Sequence, residues 1–401
     1  MPGQLSNRRR LLIRPEATFG LSANIADNAA GALPFDVLTL SIPEGVRELL
    51  TSDRAIGENE PTPMLIGGGV AKQSFSWESK SFDGIAGDAI NASTVVADAM
   101  TRILENATQT RATTTGRTGT VATFNVLTAA AGTFTKNDLI VFRPTTPLAP
   151  DRANWSRIAS LATPYQIDPN VEANGAGIAY GAEQYTKPDS QQAGGWLTLL
   201  SLIDGIQYEL TGCRLSTLKA SVNPRGVVVW SAEAVGVLRT RPAYNAIPNH
   251  SVNPVAAHQG RLCQVGFGDV YYDVGNVEFD LGIKQKFIMS STQGIEGYSD
   301  NVITEWAPMI KFAPLYATSW EDVNGTTNNT ILKLGTGALV GGRINSIGIH
   351  FERGQIVEVS NDDDANTFRN GIGIKAQSPE YPAALQTGGA NRGRLFSIAR
   401  G

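Results

Sequence analysis

Two short motifs in this chain have the residue types and spacing of a serine nucleophile site. Ser216-Thr-Leu-Lys219 fits S-x-x-K, and Ser299-Asp300-Asn301 fits S-D-N, a combination used by penicillin-recognising serine hydrolases. In such a site the lysine lies one helical turn after the serine, but the run around Ser216 alternates like a strand, in which residues i and i+3 point to opposite faces. No K-T-G motif follows. The sequence therefore predicts no catalytic serine; the hydrolase alternative predicts that Ser216 reacts with an acylating probe.

A glycine-rich segment has the beginning of a dinucleotide-binding pattern. Gly335 and Gly337 are followed by Gly341 and Gly342. A dinucleotide-binding loop must open a helix whose N-terminus faces the phosphates. The residues after Gly342 alternate like a strand instead. The segment therefore predicts a turn between strands, and no cofactor is expected.

An acidic run begins like a calcium-binding loop. Asp362, Asp363 and Asp364 supply carboxylates, but the sixth position is Thr367 rather than glycine and the twelfth is Gly373 rather than glutamate. The run is better interpreted as the solvated acidic tip of a hairpin, with weak cation binding as the alternative.

The composition limits the classes of protein to which the chain can belong. It has 401 residues, 42% of them hydrophobic and 17% charged, with a net charge of -4. This balance argues against a dedicated nucleic-acid-binding surface, and no apolar run reaches the length of a membrane span. Cys213 and Cys263 are too few for a disulfide framework or a four-ligand zinc site, and His250, His258 and His350 lack ligand spacing. We therefore expect a non-enzymatic protein without a metal, folded in a cytoplasm.

The stretch Gly205–Leu238 is predicted to form a long β-hairpin. Ile206, Tyr208 and Leu210 alternate with polar residues, as in a strand with one buried and one wetted face. The turn is predicted at 223–226, where proline presets φ and glycine permits a positive φ. Both arms exceed the usual strand length. Long amphipathic hairpins of this kind are typical of sheets that close, often between subunits.

The order of elements predicts a mainly β protein, α+β by the segregation of its few helices. We expect five segments, namely an N-terminal arm (1–34), a first part of the main β domain (35–106), a linker with a small inserted β module (107–194), a second part of the main domain (195–376) and a C-terminal arm (377–401).

Several elements are predicted within the first part of the main domain. A strand covers Phe35–Ile42, a short helix begins at Pro43, and a long loop runs over 51–69. A second helix begins at Ser93 or Thr94 and ends near Asn106. It should pack on the sheet through one apolar face, made by Val96, Met100, Ile103 and Leu104.

The order and texture of these segments resemble the tail tube protein of long-tailed bacteriophages, in particular its larger versions with an internal insertion. The resemblance covers most of residues 35–376 and rests on no invariant motif. The segments that carry it are FTKNDLIVFRP in the inserted module, the hairpin YELTGCRLSTLKASVNPRGVVVWSAEAVGV, the strands VEFDLGIKQKFIMSS with GIEG behind them, and the closing pair RINSIGIHFERGQIVEVS and GIGIKAQSP.

The resemblance implies a structural virion protein with a β-sandwich and one flanking helix. Such subunits form rings, usually hexameric, whose strands join into an inner β-barrel, and the rings stack into a tube that conducts DNA from capsid to host. The implied partners are other copies of the chain, the tape measure protein, tail terminator or tail tip proteins, and genomic DNA passing without specific binding. The implied location is the virion, with assembly in the host bacterial cytoplasm. A chain of this length also allows two tube-like repeats, which would close as a trimer.

Within this resemblance, three groups of residues receive roles. Asp362, Asp363 and Asp364 are candidates for the lumen, with an exterior position as the alternative. The loop from Thr51 to Val70, with Arg54, Glu58 and Glu60, is the candidate for contact with the next subunit or ring, and the insertion is expected on the exterior. The rival classes are a capsid decoration or other virion β protein and a carbohydrate-binding module, which would need clustered exposed aromatic residues.

Overall fold

A computed structural model of the protein describes most of the chain. The described residues are 9–20, 33–50, 65–80, 99–113, 117–123, 125–129, 134, 136–146, 153–160, 164–168, 171, 175–180, 182–187, 195–203, 206–240, 256–268, 270–290, 297–314, 325–340, 343–364, 367–377 and 395–400. Within these residues the chain is mainly β with one α-helix, so the predicted class is confirmed at that level.

The elements follow one another in three groups. The first group is β1 (Arg10–Glu16), β2 (Leu33–Phe35), β3 (Thr39–Leu40), β4 (Glu44–Leu50), β5 (Leu65–Glu78) and the helix α1 (Ala99–Thr108). The second is β6 (Thr110–Thr113), β7 (Arg117–Thr123), β8 (Val126–Ala129), β9 (Leu139–Pro144), β10 (Asn154–Ser160), β11 (Tyr165–Asp168), β12 (Gly175–Tyr180) and β13 (Glu183–Thr186). The third is β14 (Trp196–Ile203), β15 (Ile206–Val222), β16 (Val228–Thr240), a 3-10 helix (Gly260–Leu262), β17 (Gln264–Phe267), β18 (Val270–Asp280), β19 (Ile283–Met289), β20 (Tyr298–Trp306), β21 (Met309–Pro314), β22 (Thr327–Val340), β23 (Arg343–Asp364), β24 (Thr367–Ala376) and β25 (Ser397–Arg400).

A first set of strands, here called unit one, pairs in a closed antiparallel circuit. β1 pairs with β14, β14 with β15, β15 with β16, and β16 with β5. β5 pairs with β3 and β4, and β2, which precedes them, pairs back with β1. The predicted hairpin is therefore present as β15 and β16, with Val222 opposite Val228 across the turn.

A second set, here called unit two, repeats this circuit. β17 pairs with β22, β22 with β23, β23 with β24, and β24 with β21. β21 pairs with the second half of β18, and the first half of β18 pairs back with β17. The hairpin of β19 and β20 extends from β18 and β21, and Gly282, with a φ of 59°, permits the bend at its base.

The two units agree strand by strand. In each unit, the first strand pairs with the strand that directly precedes a long hairpin, and the second arm of that hairpin pairs with a strand from earlier in the unit. The short connections agree as well, since β14 ends at Ile203 before Ile206, and β22 ends at Val340 before Arg343. The chain therefore contains one arrangement twice, which supports the alternative of two repeats.

A single apolar core runs under both units. The rings of Trp77 and Trp230 in unit one lie 6.2 Å apart, and Trp230 lies 6.1 Å from Phe279 of unit two. Phe279 in turn lies 6.5 Å from Phe351. All four side chains are buried. Because each buried ring of this size contributes about 2–3 kcal/mol by leaving water, this row of aromatic residues binds the units together.

The helix α1 lies on the same core. Met100, Ile103 and Leu104 are buried there, which is the packing expected of the predicted apolar face. Asn106 fixes the helix to β15 by accepting a hydrogen bond from the backbone N–H of Leu215 and donating one to the carbonyl of Cys213. Val96 lies outside the described residues.

The strands β7 to β12 close into a separate barrel in the order β10-β11-β8-β7-β12-β9. Its interior is apolar and includes Val121, Leu127, Ile140, Phe142 and Ile158. In the chain it interrupts unit one, between α1 and β14. It packs on unit two, because Trp155 lies against Gly348 and donates a hydrogen bond to Ser346 Oγ at 3.1 Å.

The predicted short helix at Pro43 is wrong. Residues Glu44–Leu50 form β4, which pairs with β5 from Glu44 opposite Lys72 to Leu50 opposite Leu65. The apolar spacing of Val46, Leu49 and Leu50 fits a short helical turn, but pairing with a long neighbouring strand outweighs local spacing. The predicted strand Phe35–Ile42 is also divided, into β2 and β3.

The sequence also favours a polar linker over the threonine-rich segment 107–119 and loops over 166–194, and both predictions are wrong where the structure describes these residues. β6 and the start of β7 lie in the threonine-rich segment 107–119, and β12 and β13 lie within 166–194. Threonine is branched at Cβ and suits a pleated strand, so its polarity alone was a misleading signal.

The two predicted arms are wrong for the residues described in them. β1 pairs along its whole length with β14, and its Leu11 and Ile13 are buried in the core. β25 lies between β13 and β23, with Phe396 and Ile398 also in the core. Both segments are short strands of a sheet built by distant parts of the chain, a pairing that local periodicity does not reveal.

Candidate assembly surface

Unit one and unit two join edge to edge. The last residues of β15 pair antiparallel with the last residues of β18, with Lys219 opposite Asp280 and Val222 opposite Val277. The described strands therefore continue as one sheet from β4 and β5 through β16, β15, β18, β21 and β24 to β23. We call this sheet the shared sheet.

One face of the shared sheet is polar and its charges are paired across strands. Lys219 Nζ lies 2.9 Å from Asp280 and 3.6 Å from Glu278. Lys311 Nζ lies 2.8 Å from Glu358. Farther along, Lys72 lies 3.6 Å from Glu233, and serine residues fill much of the rest of the face. The hydrogen bond to Asp280 raises the pKa of Lys219, so this lysine stays charged at neutral pH.

The opposite face of the same strands is the apolar core. Ala220, Val222, Trp230, Phe279 and Ile310 all point into it and are buried. Since neighbouring residues in a strand point to opposite faces, the polar face follows from the alternation of these strands. A groove of about 640 Å³ crosses the polar side at the join, lined by residues such as Ser221, Glu278, Lys311 and Ser360.

The join is reinforced by the hairpin of β19 and β20, which lies on unit one. Trp196 of unit one donates a hydrogen bond to Asp300 at 2.8 Å. Asn301 donates to the carbonyls of Gly212 and Val235. Trp306 donates to the carbonyl of Ala107 at the end of α1. Unit two therefore holds unit one by a strand edge and by a hairpin.

Each end of the shared sheet has a stretch without a further strand partner among the described residues. In unit two this is the outer edge of β23 over Glu358–Asn361, since the pairing with β22 ends at Gln355. In unit one it is the outer edge of 38–41, where β3 pairs only with β5. Leu38, Ile42 and Val357, beside these edges, are 54%, 50% and 42% exposed. At the edge in unit one, Arg9 donates a hydrogen bond to the carbonyl of Leu40. This partner is a side chain and not a strand.

The predicted acidic residues lie at the end of the second long hairpin. Asp362, Asp363 and Asp364 pair through their backbone with Arg369, Phe368 and Thr367. This end of the hairpin extends past the last pairing of β24 with β21, at Ile372. The three residues of the candidate intersubunit loop, Arg54, Glu58 and Glu60, lie outside the described residues.

Side chains of the two serine motifs make hydrogen bonds and ion pairs within the fold. Ser216 Oγ donates to Glu233, and Lys219 is paired with Asp280 rather than with Ser216. Asn301, in β20, is buried and donates hydrogen bonds to the carbonyls of Gly212 and Val235. The predicted turn over the glycine-rich segment is wrong at Gly335 and Gly337, which lie within β22. Gly341 and Gly342 lie outside the described residues.

One polar cluster was not predicted, because its members are far apart in sequence. Trp230 donates to Ser79 Oγ, which bonds His258 Nδ1 at 2.9 Å, and His258 Nε2 bonds Asn345 Oδ1 at 2.8 Å. Because Asn345 Oδ1 can only accept, His258 Nε2 carries the proton and donates to it, and Nδ1 of the neutral ring accepts from the Ser79 hydroxyl. The cluster links unit one to unit two through the segment between them.

This cluster has the residue types of a nucleophilic triad but not its accessibility. Ser79 is 0% and His258 1% exposed, so no substrate reaches the hydroxyl. Burial lowers the pKa of His258 to about 4, which keeps the ring neutral. The arrangement is a satisfied polar link in the core.

The described part of the chain contains neither a metal-ligand cluster nor a membrane-spanning helix. No group of three His, Cys, Asp or Glu side chains there is placed to hold a metal ion. The helix that the structure describes is too short and too polar to cross a bilayer.

Comparison with known proteins adds no relative. A scan against models of protein families matched none of them, and a search of curated proteins found no similar sequence.

Proposed function

We propose that this protein is a structural subunit of a bacteriophage tail tube that assembles with copies of itself into stacked rings. Each subunit would contribute its shared sheet to an inner β-barrel, with α1 on the sandwich outside it. The observation that carries the proposal is the pairing of β15 with β18. Two equivalent units already join edge to edge within one chain, and at each end of the shared sheet a strand edge has no further strand partner among the described residues.

The polar face supports a lumen through which DNA passes without being held. Binding to DNA grows with each phosphate that a lysine or arginine neutralises. On this face Lys219 and Lys311 are already neutralised by Asp280 and Glu358. The acidic hairpin end at Asp362, Asp363 and Asp364 would add repulsion if it lines the bore.

The number of chains in a ring follows from the number of units. The resemblance to tail tube proteins implies six subunits. With two units per chain, three chains already supply six units. The tape measure protein and the tail terminator or tip proteins remain the proposed partners, and the virion the proposed location.

Negative-stain electron microscopy of the purified protein across a concentration series tests the proposal. We expect hollow rings that stack into tubes as the concentration rises, and end-on views give the number of units. A particle that stays monomeric at the highest concentration, also by light scattering, would overturn the proposal. Binding to preformed capsids without tube formation would instead favour a decoration protein.

A further inference from the structure

Resting on the proposed self-assembly, we infer that copies of this chain join by repeating the contact between its own two units. The open edge over Leu38–Ser41 of one copy pairs antiparallel with the open edge over Glu358–Asn361 of the next. Each open edge is therefore paired with a strand from a second copy of the chain.

Equivalent positions in the two units follow from their shared pairing. Trp77 lies opposite Trp230 in unit one, and Phe312 lies opposite Ile372 in unit two. The neighbouring pairs are Phe75 with Ala232 and Ile310 with Ile374. The register between the units is set at the base of their short hairpins, because β4 begins at Glu44, four residues after Leu40, and β19 begins at Ile283, four residues after Phe279. Leu40 pairs with Phe75 and Phe279 with Ile310, so Phe75 corresponds to Ile310 and Trp77 to Phe312.

The open edge of unit one corresponds to the end of β18 in unit two. Leu40 lies opposite Phe75, and Phe279 lies opposite Ile310. Leu40 thus corresponds to Phe279. By direct succession along the strands, the stretch 38–41 corresponds to 277–280, the part of β18 that pairs with β15.

The open edge of unit two is assigned through the second arm of its hairpin. Lys219 lies opposite Ser231, and Glu358 lies opposite Gly373, which is the equivalent of Ser231. Ser221 and Ser360 correspond in the same way, through Val229 and Gly371. The stretch 358–361 therefore corresponds to 219–222, the part of β15 that pairs with β18.

Transferring the internal register onto the two open edges defines the contact between copies. Within the chain, Lys219, Ala220, Ser221 and Val222 lie opposite Asp280, Phe279, Glu278 and Val277. Between copies the corresponding pairs are Glu358 with Ser41, Val359 with Leu40, Ser360 with Thr39, and Asn361 with Leu38.

Side chains at equivalent positions differ in exposure, as expected if the open edge of unit one lacks a neighbouring strand. Val277, covered by unit one, is 3% exposed, whereas its equivalent Leu38 is 54% exposed. An open strand edge with apolar side chains beside it is a site where another strand adds. Since the two edges are equivalent to the two sides of an existing contact, they are complementary to each other, and the contact is head to tail.

The hairpins add a second part to the contact. In the chain, β19 and β20 extend from β18 and lie on β15. The equivalent hairpin in unit one is formed by β4 and the first half of β5. It would lie on β23 of the neighbouring copy. Its β5 arm begins at Leu65, so the predicted contact loop Thr51–Val70 is a strand from that residue onward.

Paired cysteines test the register directly. Thr39→Cys with Ser360→Cys places thiols opposite each other only between copies, and both wild-type side chains are exposed. Directly opposite residues of antiparallel strands are close enough for a disulfide. Ser221→Cys with Glu278→Cys is the matched control, because the same two positions then lie within one chain. Cys213 and Cys263 are buried and should not compete.

We expect mild oxidation of the assembled Thr39→Cys/Ser360→Cys variant to produce a ladder of linked chains on a non-reducing gel, ending at the number of chains in a ring. The control should lose its two added thiols and remain a single chain. An equimolar mixture of the two single variants should give linked dimers only. The inference is overturned if tubes form and the control closes while the Thr39/Ser360 variant stays unlinked. Failure to form rings at all would instead count against the proposed function.

Discussion

Unit one and unit two share their strand pairing but differ in their connections. Between β5 and β14, unit one carries α1, β6, the barrel and β13, whereas the corresponding connection in unit two covers only 315–326. Both units carry a short hairpin, formed by β4 with the first half of β5 in unit one and by β19 with β20 in unit two. The inner strands of the shared sheet have neighbours on both sides and an apolar face below, so they tolerate little change. The connections between these strands are not constrained by pairing on both sides, and the two units differ there.

The same position also has different surroundings in the two units. Val277 is buried at the join, and Leu38, its equivalent, lies at an open edge. The difference arises from the neighbour and not from the local strand, since both residues precede a buried aromatic or leucine side chain by two positions. A comparison of substitutions at these positions therefore separates folding from assembly.

The largest expected difference is between Val277→Lys and Leu38→Lys. A lysine at 277 would place an unpaired charge inside the join and should lower the free energy of unfolding by about 3–5 kcal/mol. Leu38→Lys should change it by less than about 0.5 kcal/mol while abolishing ring formation. Urea unfolding at low protein concentration and sedimentation at high concentration measure the two effects.

Val270→Lys is the control for this comparison. Val270 is 52% exposed and pairs with Phe267 of β17, outside both open edges, so its substitution should leave folding and assembly close to wild type. Normal tube formation by Leu38→Lys would contradict the proposed contact.

Acid should weaken the link between the units through His258. Its pKa is about 4 in the folded chain and 6.5 when exposed, so the folded state favours the neutral ring. The stabilisation is complete above pH 6.5 and is lost as the pH falls toward 4, by roughly 3 kcal/mol in total. Urea unfolding at pH 7 and pH 4.5 measures this loss.

His258→Gln provides the matched comparison for the acid effect. Glutamine does not titrate, so the variant should be less stable at pH 7 but lose less stability on acidification. Other groups, including Glu16, whose pKa is raised by burial, are common to both proteins and cancel in the difference. Equal losses in the two proteins would show that His258 does not sense the acid.

The smallest expected effect concerns the ion pair at the join. Lys219→Met removes the partner of Asp280 and Glu278, but these groups are partly exposed to solvent. We expect a loss below about 1 kcal/mol, decreasing further in high salt. A larger loss in thermal unfolding would mean that the join depends on charge more than on strand pairing.

The sequence was sufficient where a signal is local. Alternation around Tyr208 and the turn at Pro224 predicted the long hairpin, and helical spacing of Met100, Ile103 and Leu104 predicted the buried side of α1. The β1, β4 and β25 strands were missed because each depends on a distant partner strand. The equivalence of the units was not derivable from residue identity, since Trp77 corresponds to phenylalanine and Ala232 to isoleucine.

The candidate surface was predictable only in outline. Sequence alternation implied one polar strand face, but the pairing of Lys311 with Glu358 requires knowing that β24 lies between their strands on the shared sheet. The link from Ser79 through His258 to Asn345 spans most of the chain and leaves no local pattern. Such contacts are set by the tertiary fold.

The barrel is inserted in only one of the two units. In any assembly the shared sheet and the barrels would therefore follow different symmetries. Strands that follow the shared sheet would meet a similar environment at every unit. A protein that approaches the barrels would meet one at every second unit, at the spacing of whole chains. In one ring, the strands of the shared sheet would therefore repeat once per unit. The barrels would repeat once per chain, at twice that spacing.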